Sequence, residues 1–301
     1  MRDSYSLRLT KPFVVDNVQP YFATTCATQS PSERATFINN KLDLCEKLTE
    51  EIMGDIDMFE TLLMFRRYDK LSFFHGFNVA CLSFAFGAEL GLEEYDLRNL
   101  VRGAILHDIG KTKVPLSILN KPSALTKAEY DIVKAHTQYG HDEAIKIFPN
   151  LHKDSLACIL SHHENIDGTG YPSGLAGSNI PFFAQIVALA DIYDALTTVR
   201  TYRGAASKLP YEAIQYLMDN SGIIFDKSLV ESFVKYISVY SVGSLVALNN
   251  NTHGIICETY QGATLRPKVE VFLDNTKGTS ELVNLLDIKN KHLEIIKVLS
   301  Q

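Results

Sequence analysis

The sequence predicts a mainly α protein: a helical bundle, preceded by a helical segment and followed by a small β-rich C-terminal subdomain. Three observations carry this. Apolar residues recur at three- and four-residue intervals from Glu33 to about Tyr240, with helix start and stop signals between the runs. After Ser241 the texture changes to short β-type runs separated by turn signals. With 301 residues, 46% of them hydrophobic and 21% charged, the chain is long enough for a sizeable core and shows no sign of disorder.

Residues 1–30 hold a short apolar-rich piece and Thr24-Thr25, lead into Ser30-Pro31-Ser32, and read as irregular or as a strand-bearing lead-in. From Glu33 to Arg67 the stripe Phe37, Leu42, Leu44, Leu48, Ile52, Ile56, Phe59 and Leu63 predicts an amphipathic helix pair or one long helix, packed on the next domain or on a partner. Between Leu71 and Tyr240, Gly91 and Gly110 stand where helices can stop. Thr126-Lys127-Ala128-Glu129 is a capping box opening a helix toward His136, and Asp226 precedes the stripe Leu229, Val230, Phe233, Val234. Strands are expected at Ser244–Leu248, Gly254–Glu258, Val269–Leu273 and Leu293–Val298, with turns at Asn249-Asn250-Asn251 and Asn275-Thr276-Lys277-Gly278. The expected division is residues 1–66, 67–240 and 241–301.

A formal charge of -6 gives no basic face for a polymeric nucleic acid, so a phosphate-bearing ligand must be attracted locally and is expected to be small. Cys26, Cys45, Cys81, Cys158 and Cys257 are odd in number, widely spaced and lack a Cys-x-x-Cys pair, as buried thiols of a reducing compartment do. The N-terminus lacks a signal-peptide pattern, and no apolar run reads as a membrane span, so the expected location is the cytoplasm.

Chemistry concentrates in five of the nine histidines and two aspartates: His75, His107-Asp108, His136, His162-His163 and Asp191. They sit in or beside apolar helical segments, where an unpaired imidazole or carboxylate is costly unless hydrogen-bonded or metal-bound. Each alone reads as a satisfied buried side chain, but together they read as ligands of two clustered ions. Asp108 can bridge the two with its pair of oxygens, and Asp191 interrupts a run too apolar for a free carboxylate. Imidazoles with carboxylates and no thiolate suit iron, manganese, zinc or nickel and argue against calcium or magnesium. Two such ions activate water and polarise a phosphoryl oxygen, which makes phosphoester hydrolysis the expected reaction. His141, His152, His253 and His292 lie in polar or turn contexts and read as solvated or locally hydrogen-bonded.

The run Gly103-Ala-Ile-Leu-His-Asp-Ile-Gly-Lys-Thr-Lys-Val-Pro115 resembles the HD superfamily of metal-dependent phosphohydrolases. The run His162-His-Glu-Asn-Ile-Asp-Gly-Thr-Gly-Tyr-Pro172 is similar to the signature of its HD-GYP branch. That resemblance spans about Leu71 to Tyr240, and the β-rich tail resembles the one that often closes such domains. It implies an HD-type helical bundle whose metal centre, often iron, hydrolyses cyclic di-GMP to pGpG or GMP, with cyclic GMP-AMP preferred by some members. It implies His75, His107, Asp108, His136, His162, His163 and Asp191 as metal ligands and Lys111 as the lysine meeting the scissile phosphate. Tyr171, Asp194, Arg200 and Arg203 become substrate contacts, the arginines toward phosphates or guanine. Members with a third ion carry a glutamate four residues before the first histidine. That position is Leu71 here, and Asp69 is out of register by two, so two ions are expected. A second reading is a weakly active or inactive cyclic-dinucleotide-binding module signalling through a partner docked on residues 33–67. A third is a di-iron oxygenase, against which the tyrosine-bearing motif argues.

Overall fold

The structure is a computed structural model that describes residues 31–198, 208, 210–237, 240, 242–260, 262–274 and 279–300. The lead-in, the Asn275–Gly278 turn, Arg200 and Arg203 lie outside the described residues.

The segment 33–67 is a helix pair, α1 (Pro31–Gly54) and α2 (Ile56–Tyr68), with Asp55 capping α2 through a hydrogen bond accepted from the Met58 amide. Of its expected stripe only Leu48 and Ile52 are fully buried, Phe37, Leu42, Leu44 and Phe59 pack partly buried against the core, and Ile56 is exposed; Cys45, Met58, Leu62 and Phe65 supply the rest of the buried face. Next comes α3 (Lys70–Glu89), capped by Asp69 and buried on nearly every face from Phe73 to Ala88. A helix apolar all round belongs in the middle of a bundle. This corrects the sequence reading that no run is span-like: α3 is long and apolar enough to cross a membrane, with 78% of that stretch buried inside the protein.

Against α3 packs α4 (Glu94–Leu106), which is followed by a 3-10 turn (Ile109–Lys113), the short α5 (Leu116–Leu119), α6 (Lys127–Lys134), α7 (His136–Ile147), α8 (Lys153–Ser161) and α9 (Phe182–Thr197). Helix α9 also packs on α3, α8 bridges α4 and α9, and α7 lies on the 3-10 turn and α8. The last two helices, α10 (Pro210–Asp219) and α11 (Lys227–Tyr236), precede the sheet. The capping box at Thr126 forms as expected, but the helix it opens stops at Lys134, and His136 is the first residue of α7 instead of riding on α6. Gly91 follows α3 with φ 83°. Gly110 does not end a helix; it lies inside the 3-10 turn and is where two backbones meet, since a Cβ there would stand 1.9 Å from the His136 carbonyl oxygen.

The C-terminal part is a five-stranded antiparallel sheet of β1 (Leu245–Leu248), β2 (His253–Glu258), β3 (Lys268–Asp274), β4 (Thr279–Asn284) and β5 (Ile295–Ser300), in the order β4-β3-β2-β1-β5. The Asn249–Asn251 turn joins β1 to β2, with Asn251 at φ 64° and Ala247 opposite His253. Val246, Leu248, Ile256, Val269 and Val271 are buried in the same cluster as Phe233 and Ile237 of the helical part. Hydrogen bonds from Thr264 Oγ1 to the Val234 carbonyl, 2.9 Å, and from the Gly262 amide to the Lys235 carbonyl, 2.7 Å, fasten the sheet to α11.

Candidate metal centre

Helix ends and one core helix bring the ligand-type residues to one place. His75 projects from the first half of α3, and His107 is the C-cap of α4 with Asp108 next to it. His136 starts α7, His162 is the C-cap of α8 followed by His163, and Asp191 comes from the middle of α9. Two helix C-termini, whose unpaired carbonyls favour positive charge, thus aim at the cluster. Six of the seven are buried, and His163 is partly buried. Their donor atoms form three overlapping groups, each within 4.8 Å: His136-His162-His163, His75-His107-Asp108 and His107-His162-Asp191.

The hydrogen bonds fix which nitrogen faces inward. Nδ1 of His107 lies 2.7 Å from the Ala104 carbonyl, Nδ1 of His136 lies 2.7 Å from the Val133 carbonyl, and Nδ1 of His162 lies 3.0 Å from the Cys158 carbonyl. A carbonyl only accepts, so each Nδ1 carries the proton and each Nε2 presents a bare lone pair to the interior. Those lone pairs crowd one another: Nε2 of His136 and Nε2 of His162 are 3.4 Å apart, and Asp108 Oδ1 lies 3.3 Å from His136 Nε2. Among the described residues, buried His107 Nε2 and Asp108 Oδ1 find no hydrogen-bond partner. Converging acceptors with no donor between them repel unless a cation sits among them, so this donor set fits a divalent metal.

The electrostatics agree. Burial, and then the neighbouring histidines, hold His162 well below the usual imidazole range, and burial takes His163 down to about 3. His107 is also lowered, mainly by burial. All three are neutral near pH ~7, the state a metal needs. Burial presses Asp108 toward neutrality, but Lys111 and the adjacent histidines hold its carboxyl well below the usual range. His75 and two other histidines do the same for Asp191. His75 behaves oppositely: burial disfavours its charge, yet hydrogen bonds to Asp191 and Asp194 raise it to about 9.

Lys111 forms an ion pair with Asp108 Oδ2 and stands at the edge of a cleft of about 440 Å³ whose floor includes His75, His136, His162, His163 and Asp191. Tyr171 lines one wall, its ring 4.8 Å from that of His163 and tilted by 33°. Asp194 departs from the sequence expectation of a substrate contact. It is only 4% exposed, and its Oδ2 is 2.6 Å from His75 Nδ1, while Oδ1 accepts from Asn78 and Thr198. Three residues from Asp191 does put it on the same helix face, but α3 covers that face. Asp69, the displaced acid near the third-ion position, is consumed as the N-cap of α3, bound by Leu71 N, Ser72 N and Ser72 Oγ. Leu71 itself is 43% exposed.

One organising residue escaped the sequence reading. Glu164, buried inside the second motif, accepts hydrogen bonds from the Ser173 amide at 2.7 Å and the Leu175 amide at 3.0 Å, closing the loop that carries Tyr171. Its place directly after His163 is the only signal the sequence offers.

Residues 35–229 match the HD domain family, a span that takes in both histidine-bearing motifs and most of the helical segment before them. The chain belongs to the HD domain family. Its HD domain is of the HD-GYP type and carries a histidine and aspartate cluster for divalent metal. Among relatives, the HD domain chain is 34% identical over 233 residues to a cyclic di-GMP phosphodiesterase of Pseudomonas aeruginosa, covering 76% of this chain and 55% of that one. It is 35% identical to a cyclic di-GMP phosphodiesterase of Thermotoga maritima, covering 66% and 55%. A 3'3'-cGAMP-specific phosphodiesterase of Vibrio cholerae is 31% identical over 66% of this chain and 44% of its own. The chain thus spans about half the length of the relatives it matches.

Proposed function

We propose that this HD domain is a metal-dependent phosphodiesterase that opens a cyclic dinucleotide, cyclic di-GMP first, to pGpG or GMP. The observation carrying this reading is the set of bare, inward-facing imidazole nitrogens and buried carboxylates flooring a cleft of about 440 Å³ with an ammonium at its edge. The names of the relatives support the substrate class, and include both cyclic di-GMP and 3'3'-cGAMP enzymes.

His75, His107, Asp108, His136, His162, His163 and Asp191 would hold two divalent ions, iron first and manganese, zinc or nickel as other fits. Such ions, when bound, supply a nucleophilic oxygen at neutral pH and neutralise charge on the phosphoryl group. The chain's own residues do the rest. Asp194 fixes the orientation of His75 from behind. Lys111, held near the floor by Asp108, places a positive charge where the phosphate develops negative charge. Tyr171 walls the cleft, and Arg200 and Arg203, outside the described residues, follow α9 in the chain as candidate phosphate or guanine contacts. Residues 1–66, 67–240 and 241–301 remain our division into helical lead, catalytic domain and β-rich subdomain.

The test is metal analysis of anaerobically purified protein joined to a cyclic di-GMP assay read by chromatography. Conversion to pGpG or GMP is expected, falling more than about 100-fold in Asp108→Ala with the fold retained, beyond what outer-shell changes cost. A fully metallated protein that binds cyclic di-GMP without turning it over would instead make it a binding module.

A further inference from the structure

Helix α6 has no core role. None of its residues is buried, although it is firmly placed: Thr126 and Glu129 close the capping box, and Lys121 Nζ donates to both Glu129 oxygens at 2.8 and 2.7 Å. What α6 does present, one helical turn apart, is Tyr130 and Val133, both lining the cleft beside Leu125. Tyr130 is 48% exposed. Among the described residues, the other tyrosine and phenylalanine rings lining the cleft are less exposed: Tyr171 rests on His163, Phe225 is buried, and Tyr216 is half-buried. A half-exposed tyrosine on a helix that buries nothing, at the rim of a cleft with a metal-type floor, is a wall waiting for a planar ligand. Lys134 stands 5.3 Å from the Tyr130 ring centre, itself ion-paired with Asp131 at 2.6 Å, and backs the ring with positive charge.

We infer that Tyr130 is a base-contacting residue: one purine of the cyclic dinucleotide stacks on its ring, with Val133 and Leu125 as the apolar flank, while the phosphate lies on the metal floor. The inference rests on the substrate reading given above and adds to it the wall that grips the base. Stacking is tolerant of base identity, so Tyr130 would contribute affinity for purine dinucleotides in general and little discrimination between guanine and adenine. Because the base lies away from the reacting phosphorus, the contact is present equally before and during reaction and acts on KM.

The chain has no tryptophan, so Tyr130→Trp places a single indole at the proposed contact. In metal-loaded Y130W, stopped-flow mixing with cyclic di-GMP is expected to quench the indole before product accumulates. A Tyr95→Trp control, on α4 and outside the cleft lining, stays unquenched. Tyr130→Ala is expected to raise KM by about fivefold to a hundredfold, with kcat within about threefold, as loss of one base stack predicts. Tyr130→Phe, which keeps the ring, recovers most of that loss. No quench in Y130W while the wild type turns over cyclic di-GMP, or a KM change below about twofold in Y130A, overturns the inference and leaves the substrate reading standing. A wild-type protein that neither binds nor hydrolyses a cyclic dinucleotide overturns both.

Discussion

At the scale of single residues, the centre is built from hydrogen bonds that face away from it. His75 shows this best: its Nδ1 meets Asp194 at 2.6 Å, and Asp194 is itself held by Asn78 at 3.0 Å and Thr198 at 2.9 Å. A buried carboxylate behind an imidazole fixes its tautomer and strengthens it as a donor. Asp194→Asn keeps the shape but removes the charge, and is expected to weaken metal affinity about 10- to 100-fold. Competition with a chelator of known affinity would measure this, and an unchanged affinity would remove Asp194 from the positioning role. The ligand-type residues are legible in the sequence because a histidine or aspartate inside an apolar run is costly to bury unless a metal or a hydrogen-bonding partner receives it. Asp194 stays ambiguous there because spacing tells which face of α9 a residue occupies, and only the packing of α3 against α9 tells what covers that face.

Among the elements, the close approach of the 3-10 turn to α7 sets the position of two ligand-type residues at once, Asp108 before the turn and His136 at the start of α7. At Gly110 a Cβ would lie 1.9 Å from the His136 carbonyl oxygen and 2.4 Å from the Gly140 amide nitrogen, both backbone atoms that cannot rotate aside. Gly110→Ala is therefore expected to destabilise the fold by about 3 kcal/mol or more and to lower metal occupancy together with stability. A thermal melt and metal content like those of the wild type would show that the two backbones can separate freely. From sequence, Gly110 reads as a helix stop, since a glycine needed for close packing looks like one needed for a turn. The same limit accounts for the break at Ala135, where the apolar pattern runs on while the helix divides, and for the missed strand β4. Thr279–Asn284 is an edge strand with no buried residue, so it shows no alternation to read, whereas the capping box at Thr126 and the Asp226 cap, being local, are legible.

For the molecule as a whole, the concentration of shifted groups makes stability without metal depend on pH in a definite sense. In the unfolded chain histidines titrate near ~6.5. His107, His162 and His163 are lowered in the folded protein, His163 to about 3, so below ~6.5 unfolding takes up protons and stability falls as pH falls. Asp108 and Asp191 add to this at lower pH: their stabilisation is present above ~4 and is lost as pH drops through their depressed folded values. His75 runs the other way, because its folded value of about 9 makes a contribution that is complete below ~6.5 and lost as pH rises through 9. The chelator-treated protein is therefore expected to have its highest Tm near pH ~6.5, declining on both sides. Metal reverses the alkaline side, since ligation requires deprotonated donors, so the rise in Tm on adding a divalent ion is larger at pH ~8 than at pH ~6. Calorimetry across that range checks both, and a flat metal-free profile between pH ~5 and ~9 would mean that the cluster is not held in these charge states.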